Sequence, residues 1–329
     1  MSRVAITGAS GLVGGNLAAE LLEAGHEVVA TKRAGTKIAH LDDLAIEWRD
    51  GDLKNGASLA RAFAGCDAVF HCAAAVGVEK EVTPEMRDTN VGGTQRVIDA
   101  CVEAGVKRLV HTSSVVAIGL TTTGVPSDET ARWNFDKEGL VDAYAITKHE
   151  AEEVVRKAAA GALDAVIVNP TYMFGPRDAR PSSGTLIIKI AKRRVPGWTP
   201  GYNNFVDVRD VARGMIAAWQ KGTRGERYIL GGHDMTYKAC FETIAKVAGV
   251  RPPRLGVPYP LAKLLGRFGD ILEARGREAI VNSTQIEYAF TDKFRFRSTK
   301  AASDLGYTYG PLEPAIRDAL AWFRKNDML

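Results

Sequence analysis

In "DAYAITKHE", residues 142–150, Tyr144 stands four positions before Lys148. Four residues bring two side chains onto one face of a helix, one turn apart, so a phenol and an ammonium at this interval can address one small volume. The chemistry such a pair offers is proton transfer. An unperturbed tyrosine ionises at about pH 10 and needs a neighbouring cation to exchange protons usefully near neutrality. The same spacing also occurs on helices where both side chains merely pack or extend into water, so the pair gains meaning only from what surrounds it.

Two other stretches supply that context. "HTSSVVAIG", residues 111–119, follows an apolar run and carries Thr112, Ser113 and Ser114. Hydroxyls there emerge at the carboxyl end of a strand, the edge at which open α/β sheets bind ligands. "ITGASGLVGG", residues 6–15, sets Gly8, Gly11 and Gly14 at intervals of three, after a strand and ahead of a helix with Leu17, Leu21 and Leu22. Glycines let backbone approach a pyrophosphate, and the helix start offers free N–H groups with a partial positive charge. Ser10, Leu12 and Val13 belong to the same turn. A tight turn that binds nothing needs similar residues, but the placement between first strand and first helix points to a dinucleotide site.

The end of the second strand reports which dinucleotide. An acidic residue there would accept hydrogen bonds from the ribose hydroxyls and repel a phosphate. This chain has "ATKR" instead, with Lys32 and Arg33 where a 2'-phosphate would sit. NADP(H) is favoured, since Arg and Lys pair well with phosphate; NAD(H) fits if both side chains simply extend into water. In "RDGDL", residues 49–53, Asp52 is either an acceptor for the adenine amino group or a helix N-cap, and Leu53 would lie beside the ring. "HCAAAVG", residues 71–77, offers Ala73, Ala74 and Ala75, small residues that suit close passage of backbone by a ligand or simply tight packing.

The elements that must position these residues are legible as an alternation. "RVAIT", a helix over Leu12 to Ala24, "HEVVAT", a helix near Ser58 to Ala64, "DAVFHCA", a long helix after Asn90, and "KRLVHTSS" succeed one another. Such alternation predicts a parallel sheet covered by helices on both faces. "DAVIVNPTYMFG", residues 164–175, and "RYILGG", residues 227–232, are expected to extend the same sheet. The fold class is therefore α/β, a Rossmann-type doubly wound parallel sheet with a smaller, mostly C-terminal substrate-binding lobe. The expected division is 1–175, with a return at 205–232, for the nucleotide domain, and 176–204 with 233–329 for the lobe. Prolines after Pro170 break the lobe into short helices and loops, and Leu312 to Lys325 reads as a final helix.

Bulk properties exclude several classes. With 46% hydrophobic and 25% charged residues among 329, the chain has an ordinary globular composition. Its net charge of +4 comes from scattered cations, which gives no reason to expect nucleic-acid binding. The tightest cluster, Lys192-Arg193-Arg194, suits an anionic substrate group or a solvated face. Four cysteines without a C-x-x-C pair and six isolated histidines suggest no metal site. No apolar run is long enough to span a bilayer, and "RVAITGAS" begins too soon after Met1 to leave room for a signal peptide, so a cytoplasmic setting is expected.

Taken together, "TGASGLVG", "GDL", "TNVGGT", "HTSSVVAIG", "YAITK" and "NPTYMFGP" resemble, in order and over nearly the whole chain, the extended short-chain dehydrogenase/reductase family. The resemblance implies Ser114 as the hydroxyl that holds a substrate carbonyl and Tyr144 as general acid or base. It implies Lys148 as the residue that binds the nicotinamide ribose and lowers the tyrosine pKa, and Asn90 as an active-site polar group. Ser113 is the adjacent alternative to Ser114, which keeps the family's five-residue distance to Gly119. Thr112, Pro170 and Tyr172 are carried over as cofactor contacts. Val115-Val116 replaces the Asp-Glu pair of sugar-nucleotide dehydratases, and "NNFVDVRDVA" lacks the Arg-x-aromatic segment of epimerases. The chain is most similar to the dihydroflavonol-reductase-like branch, which implies NADPH-dependent reduction of a ketone or aldehyde. A nucleotide-sugar epimerase of the kind associated with hopanoid gene neighbourhoods is the alternative, with a hydroxysteroid-type dehydrogenase as a third. Trp133, Phe135, Tyr172, Met173, Phe174 and Trp198 are candidates to line a pocket for an aromatic or alkyl substrate. The helices after Asn90 and from Tyr144 form a dimer bundle in many relatives and a monomer surface in others, so the resemblance allows a homodimer.

Overall fold

The computed structural model describes residues 1–77, 81–277 and 281–329. Strand β1 (Arg3–Thr7) leads through the glycine turn into helix α1 (Leu12–Glu23), and β2 (Glu27–Lys32) returns beside β1 in parallel. The alternation then continues with β3 (Ile46–Asp50), α2 (Gly56–Phe63), β4 (Ala68–His71), α3 (Pro84–Arg87), α4 (Gly93–Glu103), β5 (Arg108–Thr112), α5 (Ala143–Ala160) and β6 (Ala165–Pro170). The expected long helix starts before Asn90, because Pro84 occupies the first turn and the Thr83 hydroxyl accepts the N–H of Met86 at 3.1 Å. It passes Asn90 as a π turn, Asp88–Gly92, before α4.

After β6 come β7 (Tyr172–Phe174), α6 (Gly184–Ala191), β8 (Tyr202–Asp207), α7 (Val208–Lys221), β9 (Arg227–Leu230) and β10 (His233–Thr236). The main sheet is parallel throughout, in the order β3-β2-β1-β4-β5-β6-β9. Its direction of growth reverses between β1 and β4, which opens a crevice at their carboxyl ends. Both faces are covered. Val4, Ile6, Val28 and Ala30 join Leu17 and Leu21 of α1 and Val211 and Met215 of α7 in one core, while Ala5 and Val29 join Leu59, Phe63, Val97 and Val155 in the other. That is why these strands read as unbroken apolar runs.

One expectation fails here. "DAVIVNPTYMFG" does not form one continuous addition to the main sheet: β6 ends at Pro170, and β7 pairs instead with β8 in a second sheet, β10-β8-β7. Proline lacks the N–H that would continue a ladder, and the chain changes sheets across Thr171. The chain continues through α8 (Tyr237–Ala248), α9 (Tyr259–Ala274), α10 (Ser283–Phe290), α11 (Thr299–Leu305) and α12 (Leu312–Lys325); Ala301 and Leu305 of α11 join the main-sheet core beside α7, whereas α8 and α12 pack on the second sheet. Phe174, Phe205, Phe241, Leu320 and Phe323 form part of its core. No helix among the described residues is long and apolar enough to cross a membrane.

Candidate active site

The glycine turn closes directly on the end of β4. Gly8 has φ +76°, a left-handed conformation that suits glycine, and a Cβ there would lie 2.6 Å from the Ala73 nitrogen. A Cβ at Gly14 would lie 2.4 Å from the Gly8 carbonyl oxygen, so α1 can start this close to the turn only without a side chain. Gly11 is exposed, and no side chain caps α1, which leaves the first N–H groups, including those of Leu12 and Val13, without intrahelical partners. The Ser10 backbone carbonyl accepts a hydrogen bond from the His40 ring. The turn is a cradle of backbone donors facing the crevice between β1 and β4.

At the next strand end, Lys32 is half-buried and Arg33 exposed, and neither enters an ion pair among the described residues. Asp52 is not a helix cap. Asn55 caps α2, accepting Ser58 N at 3.1 Å, whereas Asp52 Oδ1 accepts Lys54 N at 3.0 Å in a local turn. Leu53 packs on the start of α4, where a Cβ at Gly93 would come within 3.2 Å of it.

The opening pair sits on the first turns of α5. Asp142 caps this helix, accepting Ala145 N at 2.7 Å, and so fixes where Tyr144 leaves the helix. The Tyr144 hydroxyl is hydrogen-bonded to Ser114. Ser114 itself caps a 3-10 turn, Val115–Ala117, with its hydroxyl accepting Val116 N at 3.4 Å. Ser113 is committed elsewhere: its hydroxyl donates to Glu152 Oε2 at 2.5 Å. Burial pushes the Tyr144 pKa up to about 12, against the pull of the Ser114 hydrogen bond. Lys148 is 3% exposed and donates from Nζ to the Thr112 carbonyl at 2.6 Å. Burial brings its pKa down to about 8, with Glu152 opposing. Burial, Ser114 and Asp142 act on the Tyr144 phenol, and the Lys148 ammonium lies at the end of β5 on the Thr112 carbonyl.

Asn90 lies beside this group and is fully engaged. Its Oδ1 accepts Ala75 N at 2.7 Å, and its Nδ2 donates to Ala75 O and to Thr147 Oγ1, both at 3.0 Å. It therefore ties the end of β4 to the helix of Tyr144 and Lys148, and the π turn widens its own helix at this point. Thr112 Oγ1 lies 3.4 Å from Cys72 Sγ, again joining β5 to β4. Pro170 is buried at the end of β6. Tyr172 stands edge-on to Phe174 and Phe205 at 5.5 and 5.3 Å.

Sequence reasoning missed the buried support. Glu152, 1% exposed, receives Ser113 Oγ, Asn169 Nδ2 at 2.8 Å and an Arg227 guanidinium at 2.9 Å. Its position four residues after Lys148 was a readable signal, one further turn on the same face. The aromatic candidates divide differently from expectation. Phe135 and Phe174 are fully buried in cores, Trp133 stacks on His149 at 4.7 Å, and Trp198 packs against Gly256 with Lys238 over its ring. Met173 packs against the main core. In the basic cluster, Lys192 donates to the Met328 carbonyl at 2.8 Å, a tie to the C-terminal residues.

Comparisons with known proteins give the chain's family. A sequence model described as the NAD dependent epimerase/dehydratase family matches residues 4–231. The chain is 33% identical over 327 residues to a Synechocystis sp. protein provisionally named dihydroflavonol 4-reductase, covering 98% of this chain and 94% of that one. It is 34% identical over 328 residues to sterol demethylase protein B of Methylococcus capsulatus, covering 98% and 99%. It is 32% identical over 247 residues to cinnamoyl-CoA reductase 1 of Oryza sativa subsp. japonica, covering 70% and 71%. Among solved structures, gox2253 superposes with a TM-score of 0.85 at 32% identity, over 100% of both chains.

Proposed function

Because the chain belongs to the NAD dependent epimerase/dehydratase family and is an NAD(P)-dependent oxidoreductase, we propose that it reduces a ketone or aldehyde with NADPH. The observation that carries this reading is the convergence of Ser114, Tyr144 and Lys148 at the end of β5, on the same carboxyl edge as the glycine turn.

The residues present fit a dinucleotide. The turn at Gly8, Gly11 and Gly14 leaves backbone donors free at an exposed helix start. Its pyrophosphate would be held by that turn with Ser10, Leu12 and Val13. Lys32 and Arg33 would take the 2'-phosphate, and Asp52 with Leu53 the adenine. Ala73, Ala74, Ala75, Thr112, Lys148, Pro170 and Tyr172 would surround the nicotinamide half. When bound, the reduced dinucleotide supplies the hydride.

The chain's own residues then manage the oxygen. Tyr144, with its pKa raised to about 12, keeps its proton at neutral pH and is an acid ready to donate to a carbonyl oxygen. Ser114 already shares a hydrogen bond with that phenol and can donate to the same oxygen as charge develops on it. Asn90 acts as a positioning residue through Ala75 and Thr147. Elimination chemistry has no support beside Ser114: Val115 is buried, and Val116 offers its carbonyl to Trp133 Nε1. In place of an epimerase's arginine, Asn204 is buried and donates to Asp234 Oδ1 at 2.6 Å.

Tyr144→Phe tests the mechanism. NADPH affinity should stay within about threefold of the original, while turnover with a carbonyl substrate should fall by about two orders of magnitude or more. Unchanged turnover would remove Tyr144 from the reaction.

A further inference from the structure

α9 rests on the lobe through its smallest residues. Ala262, Gly266 and Gly269 are buried, and a Cβ at Gly266 would come within 2.9 Å of the Ser283 backbone, so α10 lies directly against it. The bulky residues point the other way. Leu261, Leu264, Leu265, Phe268 and Ile271 are between 48% and 64% exposed, and their spacing holds them on one helical arc. Leu255, just ahead of the helix, is exposed as well. A contiguous outward apolar face of this kind marks a docking surface.

Charge identifies the occupant. Residues 251–277 carry Arg251, Arg254, Lys263, Arg267, Arg275 and Arg277 against Asp270 and Glu273, an excess of four that equals the net charge of the whole chain, +4. Both acids turn toward the start of α10: Asp270 accepts Ser283 N at 2.9 Å and Ser283 Oγ at 2.7 Å, and Glu273 accepts Asn282 Nδ2 at 3.3 Å. None of the six cations enters an ion pair among the described residues. Lys263 and Arg267 edge the apolar arc, with Lys263 over the Tyr259 ring at 5.6 Å. A second copy of this chain is a poor match, because a two-fold contact would set the patch against itself and bring its own cations together.

We propose that the outer face of α9 docks on an anionic lipid surface, its leucines and Phe268 entering the headgroup boundary and the six cations meeting lipid phosphates. Two hydrogen-bonded steps join the contact to α5: Asp270 of α9 accepts Ser283 Oγ of α10, and the Tyr288 hydroxyl of α10 lies 2.6 Å from Oδ2 of Asp142, the cap of α5. This proposal stands apart from the proposed reaction.

Flotation of the full chain with vesicles tests it, using phosphatidylcholine alone and phosphatidylcholine mixed with phosphatidylglycerol. Binding should favour the mixed vesicles by about tenfold or more at low salt, and most of that preference should vanish at about 1 M salt, where the screening length falls to about 3 Å. Leu264→Ser with Phe268→Ser should cut the bound fraction about tenfold, and Lys263→Gln with Arg267→Gln should reduce the preference for phosphatidylglycerol. Circular dichroism and the thermal transition of each variant should match the original, since the substituted side chains are exposed. The proposal is overturned if the original chain floats with neither vesicle, or if the Leu264→Ser, Phe268→Ser variant floats as well as the original. It is also overturned if the chain fails to float and light scattering shows a dimer that this double variant dissociates, which would assign the face to a second copy.

Discussion

At the scale of single residues, the site is a set of side chains each fixed by one partner. Tyr144 has Ser114, Lys148 has the Thr112 carbonyl, and Ser113 has Glu152. Burial displaces both titrating groups: the phenol is held protonated at neutral pH, and the ammonium has its pKa lowered to about 8. A lowered lysine pKa means the charge is present below that value and lost as pH rises through it. Reductive kcat/KM, measured from pH 6 to about 10, should therefore fall with an apparent pKa near 8 if the charged lysine is used; a profile flat to pH 10 would show that it is not. The Tyr-Lys spacing and the strand-end serine were legible because helical period and strand direction place side chains without tertiary knowledge. Glu152 followed the same period and could have been read. Asn169 and Arg227 could not, since their meeting at Glu152 joins residues 17 and 75 positions away and depends on β6 and β9 lying side by side.

At the scale of elements, function depends on strand ends that share one edge. β1, β2, β4, β5 and β6 are parallel, so Gly8, Lys32, Ala73, Thr112 and Pro170 all follow or end strands at the carboxyl side. Lys32 and Arg33, which enter no ion pair among the described residues, make the second of these ends the test of cofactor choice. Lys32→Asp with Arg33→Ala should weaken NADPH binding by about tenfold or more while changing NADH binding far less, as charge-assisted contacts to phosphate are lost. Equal weakening of both by titration calorimetry would show that the 2'-phosphate is read elsewhere. These strands were legible as buried apolar runs. The change of sheet between β6 and β7 was not, because "NPTYMFG" continues the apolar pattern and only the pairing with Phe205–Asp207 reveals the second sheet. Of the two readings left open for Asp52, the helix cap falls away, because Asn55 accepts Ser58 N and caps α2.

At the scale of the whole molecule, a large parallel sheet holds Ser114, Tyr144 and Lys148 at one edge, and a second sheet of three short strands packs with Phe174, Phe205, Phe241 and Phe323. Composition gave the broad class correctly but overstated the aromatic pocket, because Phe135 and Phe174 serve as core rather than lining. The same scale separates a reductase from an epimerase, since only the first leaves the cofactor oxidised after each turnover. The most direct measurement is absorbance at the reduced-nicotinamide band while the protein is offered NADPH with ketones, aldehydes and UDP-sugars in turn. Net NADPH oxidation with a ketone or aldehyde, lost in Tyr144→Phe, is the predicted result. An altered UDP-sugar with no net oxidation by any carbonyl compound would contradict it and make the chain an epimerase.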